Sequence, residues 1–282
     1  ATKGQFVGAM NSKSIWECWN YNKYGFGDRY ASGLLFWYHQ CPVPQVAGRM
    51  WDYTLEPTAS LYHTQNALEP LHPQFDYLKN TVSVYNDYYQ SFKRYKVLAE
   101  VYDIKSRKVW QKSAVVDIPE DGVVNDVFKI DFPEELSQVH FIKLRLLDDK
   151  GKQVGSNFYW RSRDKYEGAK TLTGPATSGF ESIDQLPEVK LSAKYKTRTE
   201  NGSYFIDVEL KNASRNIAFF TQIQFLGADN KPVRPSFYTD NFFSLLPGES
   251  YKITIDTSIN KISENSLVIK GWNIKEQRFK LK

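Results

Sequence analysis

The sequence predicts a mostly β protein, with two immunoglobulin-like β-sandwich domains preceded by the last α/β unit of a (β/α)8 barrel. Three observations lead there. Hydrophobic residues recur at near-helical spacing within residues 1–31, and from about Leu71 the period switches to the alternation of half-buried strands. Aromatic residues make up 15% of the 282 residues, with 18 Tyr, 18 Phe and 7 Trp, and such side chains favour strands. The short apolar run Gly33 to Trp37 reads as a buried parallel strand that opens into Tyr38, His39 and Gln40 before a second helical stretch. A strand whose C-terminal end carries polar and aromatic side chains and then feeds a helix is the repeating unit of such a barrel.

The elements follow in order. Phe6, Met10, Ile15, Trp16 and Trp19 stand at helical spacing, and one amphipathic helix is expected to end near Asn22, before the turn-rich Asn20 to Asp28. After the strand Gly33–Trp37 and a loop punctuated by Pro42 and Pro44, a second helix is expected from about Ala59 to Leu68, stopped by Pro70. Residues 1–70 would therefore be a quarter of a barrel, unable to cover their own apolar faces. Alternating runs at Thr81–Tyr85, Lys96–Tyr102, Val109–Ile118, Val124–Ile130, Phe141–Leu147 and Gln153–Trp160, with a hairpin turn at Asp148–Lys152, describe a sandwich over 71–161. Residues 162–187 lack periodicity and read as a linker. A second sandwich over 188–282 carries strands at Tyr204–Leu210, Ala218–Leu226, Tyr251–Ile255 and Leu267–Trp272. The two sandwiches are alike in size and pattern but share no evident sequence repeat.

Composition excludes several classes. A formal charge of +5 is scattered among acidic residues with no basic stripe, which argues against nucleic acid as a partner. No apolar run is long enough to span a membrane. Cys18 and Cys41 show no metal-binding spacing, and His39, His63, His72 and His140 are dispersed, so neither a zinc site nor any cofactor is expected. A Cys18–Cys41 disulfide is open from sequence, with two buried free thiols the stronger expectation. The chain opens inside an apparent helix without a leader, as a processing or cloning boundary would leave it.

Seven short motifs occur in register along the chain: Gly33-Leu-Leu-Phe-Trp-Tyr-His-Gln40, Trp51-Asp52, Ala59 to Tyr62, Glu69-Pro-Leu-His-Pro-Gln74, Ser156-Asn-Phe-Tyr-Trp160, Thr239 to Glu249 and Lys270-Gly-Trp-Asn273. Together they resemble the C-terminal part of glycoside hydrolase family 2, in its exo-β-glucosaminidase, β-mannosidase and endo-β-mannosidase branch. The resemblance implies retaining hydrolysis of a β-mannoside or β-glucosaminide by two glutamates about 5–5.5 Å apart. In the family both lie on earlier barrel strands, so no catalytic residue is assigned in this chain. Glu17 falls on a helix where the family glutamate is not catalytic. The resemblance also implies an extracytoplasmic setting, and as partners a β-linked carbohydrate and the upstream portion of the same enzyme.

Trp37, Tyr38 and Gln40 are the candidate substrate-binding residues. An indole at the strand end is either a core plug or the flat wall of a sugar subsite, and the family's tryptophan implies the second. The Gln40 amide matches a family amide that could donate to a sugar hydroxyl; the alternative is hydrogen bonding within its own loop. Tyr38 and His39 divide evenly between packing and site lining. Where the family has Pro-Trp, this chain has Pro42-Val43, which removes an aromatic side chain near the site mouth. Asp52, Glu69, His72, Asp240, Asn241 and Glu249 read chiefly as structural residues of loops and strand ends. The competing reading from another class is a non-catalytic carbohydrate-binding or adhesive β-sandwich protein.

Overall fold

The computed structural model describes residues 2–23, 33–37, 39–44, 49–163, 179–200, 202–257 and 265–281. The chain forms two compact units, Lys3–Ile183 and Asp184–Lys282.

Unit one begins with helix α1, Thr2–Asn22, and continues to α2, Ala59–Ala67. The stretch Thr2–Asn22 contains no proline, and α2 stops three residues before Pro70, as expected. The buried stripe of α1 is Phe6, Ala9, Lys13, Glu17 and Asn20, spaced three or four residues apart along one face. That is not the face the apolar residues suggested, since Ile15 is exposed and Trp16 and Trp19 are only half-buried. Two side chains of α1 satisfy orphan backbone groups at the ends of α2. Gln5 Oε1 accepts from Ala59 N at 2.7 Å, and Asn20 Nδ2 donates to Ala67 O at 3.1 Å. Because the start of α1 caps the start of α2, and its end caps the end, the two helices run in the same direction.

The strand expected over Gly33–Trp37 is not formed: residues 33–37 join no β-ladder among the described residues. A parallel strand is defined by its neighbours, and no described segment lies in hydrogen-bonding register with this one. Backbone pairing begins just beyond it, where Trp51 N donates to His39 O at 3.0 Å and Cys41 N to Trp51 O at 3.2 Å.

The sandwich of unit one has seven antiparallel strands. Strands β1 (Leu71–Asp76), β2 (Thr81–Asn86) and β5 (Gly122–Lys129) form one sheet in the order β1-β2-β5. Strands β3 (Phe92–Asp103), β4 (Lys108–Ile118), β6 (Val139–Leu147) and β7 (Gln153–Ser162) form the other in the order β4-β3-β6-β7. Six of these match the alternating runs of the sequence. The seventh, β1, is interrupted by Pro73 and is tolerated because it is an edge strand, where a missing N–H costs no ladder bond. Val82, Val84, Val97, Ala99, Val101, Ile142, Leu144 and Leu146 interdigitate as the core. The Asp148–Lys152 hairpin closes as expected, with Gly151 in the left-handed region.

Unit two opens with a short 3-10 turn, Glu181–Gln185, at its boundary. Strands β11 (Ser236–Tyr238), β13 (Ser250–Thr257), β9 (Ser203–Lys211) and β8 (Ser192–Glu200) form one sheet in that order. Strands β12 (Phe243–Leu245), β10 (Ala218–Leu226), β14 (Ser266–Lys270) and β15 (Gln277–Lys280) form the other. A bulge in β10 between Ala218 and Thr221 lets the consecutive Phe219 and Phe220 both enter the core, at the expense of a positive φ at Phe220. Both cysteines are free thiols; Cys41 is buried as expected, whereas Cys18 is exposed.

Candidate functional site

Of the three sequence candidates, Trp37 is 79% exposed and Gln40 is exposed, while Tyr38 lies outside the described residues. Trp37 O accepts from Arg49 Nη1 at 3.1 Å, and Gln40 forms a parallel bridge with Trp51. Leu34, Leu35, Val43, Tyr53 and Leu55 are also exposed, with Leu35 fully so. Within 33–37, Phe36 is half-buried and stacks on Trp16, with ring centroids 6.5 Å apart and planes 9° from parallel. Trp37 is therefore not a core plug in this chain. Asp52 organises its own loop, its Oδ1 accepting from Thr54 N, Thr54 Oγ1 and Glu56 N at 2.7–2.9 Å. That is the structural role expected of it.

The densest constellation of polar side chains lies elsewhere, where α1 crosses β1 and β7. Lys13 and Glu17, one helical turn apart, meet His72 and Gln74 of β1 and Asn157 and Tyr159 of β7. Glu17 Oε1 lies 2.9 Å from His72 Nε2, and it accepts from Asn157 Nδ2 and Tyr159 Oη, each at 2.8 Å. Lys13 Nζ donates to Asn157 Oδ1 and, at 3.0 Å, to Phe158 O, and it sits 4.0 Å from the centre of the Tyr159 ring. Tyr159 Oη accepts from Phe75 N at 3.0 Å, which ties the cluster to β1. Burial would raise the Glu17 carboxyl, but Lys13, His72 and Tyr159 outweigh it and hold it below its usual range. Burial and the Glu17 charge push Tyr159 the other way, so it stays a protonated donor.

Lys13, Glu17, His72, Asn157 and Tyr159 are each no more than 5% exposed. A carboxylate, an imidazole and a phenol at hydrogen-bond distance could move protons, but nothing the size of a sugar reaches them. The cluster is a clasp between helix and sheet, and its neighbours agree: Trp160 packs on Phe6 at 5.2 Å and on His63 at 5.5 Å. The motif Ser156–Trp160 is thus the docking strip for α1, and His72 is a structural residue as expected. Sequence reading missed Lys13, Asn157 and Tyr159. The available signal was the alternation of Asn157 and Tyr159 on one strand face and the i, i+4 pair Lys13 and Glu17 on one helix face.

The other motif residues are also structural. Asn241 Oδ1 accepts from Ile223 N and its Nδ2 donates to Ile223 O, both at 2.8 Å, and Asp240 accepts from Tyr251 Oη at 2.7 Å. Glu249 accepts from Leu246 N. Asn273 Nδ2 donates to Pro187 O and Ile217 O, and its Oδ1 accepts from Phe219 N. Beside it, a Cβ on Gly271 would lie 3.0 Å from two backbone carbonyl oxygens, which explains the glycine in Lys270–Asn273.

The family model described as the mannosidase Ig/CBM-like domain matches residues 79–166, and that of the exo-β-D-glucosaminidase Ig-fold domain matches 171–274. The chain matches the C-terminal part of a glycoside hydrolase family 2 enzyme. Among similar proteins, the exo-β-D-glucosaminidase of Streptomyces avermitilis is 26% identical over 88% of this chain and 29% of its own length. The mannosylglycoprotein endo-β-mannosidase of Lilium longiflorum is 21% identical over 98% of this chain and 34% of its own length. The crystal structure of Amycolatopsis orientalis exo-chitosanase superposes on 98% of this chain with a TM-score of 0.83 at 22% identity, using 34% of that chain. The chain thus spans about a third or less of the length of the relatives it matches. No helix of the described residues is long and apolar enough to cross a membrane.

Proposed function

We propose that this chain is the C-terminal portion of a retaining family 2 β-glycosidase that hydrolyses β-glucosaminides or β-mannosides, with both catalytic glutamates outside it. The observation that carries this reading is the ordered match of the two sandwich domains, the first to a mannosidase Ig/CBM-like domain and the second to an exo-β-D-glucosaminidase Ig-fold domain. Helices α1 and α2 run parallel with a long connection between them, the relation of successive helices around a (β/α)8 barrel. That supports residues 33–37 as the last barrel strand once its neighbours are present. Its apolar side chains would then face barrel partners, and Trp37, Tyr38 and Gln40 would lie at its C-terminal end, against the sugar. An extracytoplasmic location belongs to the same proposal.

Two assays test it. The isolated chain should not hydrolyse nitrophenyl β-glucosaminide, β-mannoside or β-galactoside, and turnover abolished by Glu17→Gln would overturn the assignment. In the enzyme carrying the remaining barrel, Trp37→Ala should lower kcat/KM by about 2–4 kcal/mol of transition-state stabilisation, the scale of one positioned contact. Unchanged kcat/KM with a lowered melting temperature would reduce Trp37 to packing.

A further inference from the structure

At one end of the first sandwich, the β2–β3 loop presents Tyr88 and Tyr89 to solvent, 47% and 88% exposed. Exposed tyrosines are common singly, but this pair stands on a loop that cannot give way. Asn86, wholly buried, donates to Gln90 O at 2.9 Å and to Pro119 O at 2.7 Å, and its Oδ1 accepts from Tyr88 N at 3.0 Å. Asp121 N donates to Tyr88 O at 2.9 Å, so the loop is fastened to the turn that precedes β5. The Tyr88 ring rests edge-on against Phe92, 6.1 Å between centroids, and Phe92 lies 5.1 Å from Tyr95. Asp87, half exposed and held by Lys23 at 2.8 Å, supplies acceptors beside the rings.

A tyrosine on a fixed loop offers a broad apolar face with few rotamers to freeze and a hydroxyl at its tip. The ligand chemistry that needs this combination is a pyranose, with one flat C–H face and a rim of hydroxyls. We infer that Tyr88 and Tyr89 form an accessory platform on which a β-linked polysaccharide chain lies. The platform lies within the domain matched as Ig/CBM-like, and it contains none of the candidate residues 37–40. The choice of a β-linked glucosamine or mannose polymer rests on the function proposed above; the platform itself does not.

The test is retention of the 282-residue chain on insoluble chitosan and mannan at about 0.15 M salt, which screens diffuse charge attraction. Tyr89→Ala should weaken binding at least tenfold and Tyr88→Ala several-fold, while Tyr89→Phe, which keeps the ring, should stay within about threefold of the parent. The melting temperature of Tyr89→Ala should be unchanged, since that ring faces water. Equal retention of parent and alanine variants, or no retention of the parent, would overturn the platform. Retention lost in Tyr89→Ala beside an intact hydrolysis rate in the longer enzyme would support it, and a failure of hydrolysis alone would strike only the proposed function.

Discussion

Lys13 and Glu17 would be counted as solvent-facing on a helical wheel, yet both are buried against a sheet that begins some fifty residues later in the chain. A buried carboxylate persists only when its acceptors are filled, and Glu17 has His72, Asn157 and Tyr159 to fill them. Glu17→Gln would leave the Lys13 ammonium buried without its counter-charge and should cost about 3–5 kcal/mol in urea unfolding. Lys13→Met with Glu17→Gln should recover much of that loss, and an additive double variant would refute the coupling. Acid should act on this unit through two groups. The Glu17 carboxyl is lower in the folded chain than its ordinary 4.5, so its stabilisation is full above that value and is lost as pH falls through the folded one. His140 is buried beside the Phe132 ring, 5.0 Å away. Burial, with Arg161 nearby, pushes His140 down from 6.5 to about 4. The unfolded chain therefore takes up a proton between pH 6.5 and about 4 that the folded chain refuses, and stability falls as pH falls through that window. The loss should be on the order of 2–3 kcal/mol, and His140→Leu should flatten the unfolding free energy between pH 7 and pH 4.5 relative to the parent.

At the scale of elements, the two sandwiches share a device that their sequences conceal. Asn86, at the end of β2, donates to the carbonyl of residue 90 and to Pro119 O while accepting from the N–H of residue 88. Asn212, just beyond the end of β9, donates to Asn216 O and Leu245 O at 2.8 and 3.0 Å and accepts from Ser214 N at 3.1 Å. Both are fully buried, so Asn212 in its Asn-Ala-Ser triplet is a corner staple with no amide left for a glycan. Replacing either by alanine strands two backbone carbonyls and should cost about 2–3 kcal/mol, read as a lower urea midpoint at unchanged slope. Strands that alternate and are half-buried, such as β9 and β13, were legible because period and burial coincide. β8 was not, because the edge-strand sequence Ser192–Glu200 is polar on nearly every residue. β11 and β12 are three residues each, below any periodic signal. For α1, existence and length were legible, but its orientation was not. The partners of Lys13 and Glu17 sit on strands as far away as residue 159, and an apolar count points the helix toward Ile15, Trp16 and Trp19. Of the candidate site, the segment 37–40 was legible from its place after the apolar run 33–36 and from the family motif; nothing local distinguishes an exposed Trp37 from a buried one.

Over the whole molecule, one apolar surface stays open among the described residues. Leu35 and Trp37 are exposed beside Phe36, which stacks on the half-buried Trp16. Burying a leucine side chain is worth about 1.5–3 kcal/mol, so a sequence that leaves Leu34, Leu35 and Trp37 in water forgoes stabilisation comparable with a sizeable fraction of a domain's net stability. The proposed barrel supplies the cover: with parallel strands on either side, alternate residues of 33–37 would enter the barrel interior. The same substitution should then have two different costs. Leu35→Asp in the 282-residue chain alone should change the unfolding free energy by no more than about 0.5 kcal/mol, as at any solvated position. In the longer enzyme it should cost about 3–5 kcal/mol, because a carboxylate replaces a packed leucine in an apolar interior. Unfolding both proteins in urea, each with and without the substitution, measures the difference directly. Equal small effects in the two would mean that residues 33–37 remain solvated in the complete protein and that no barrel closes around them.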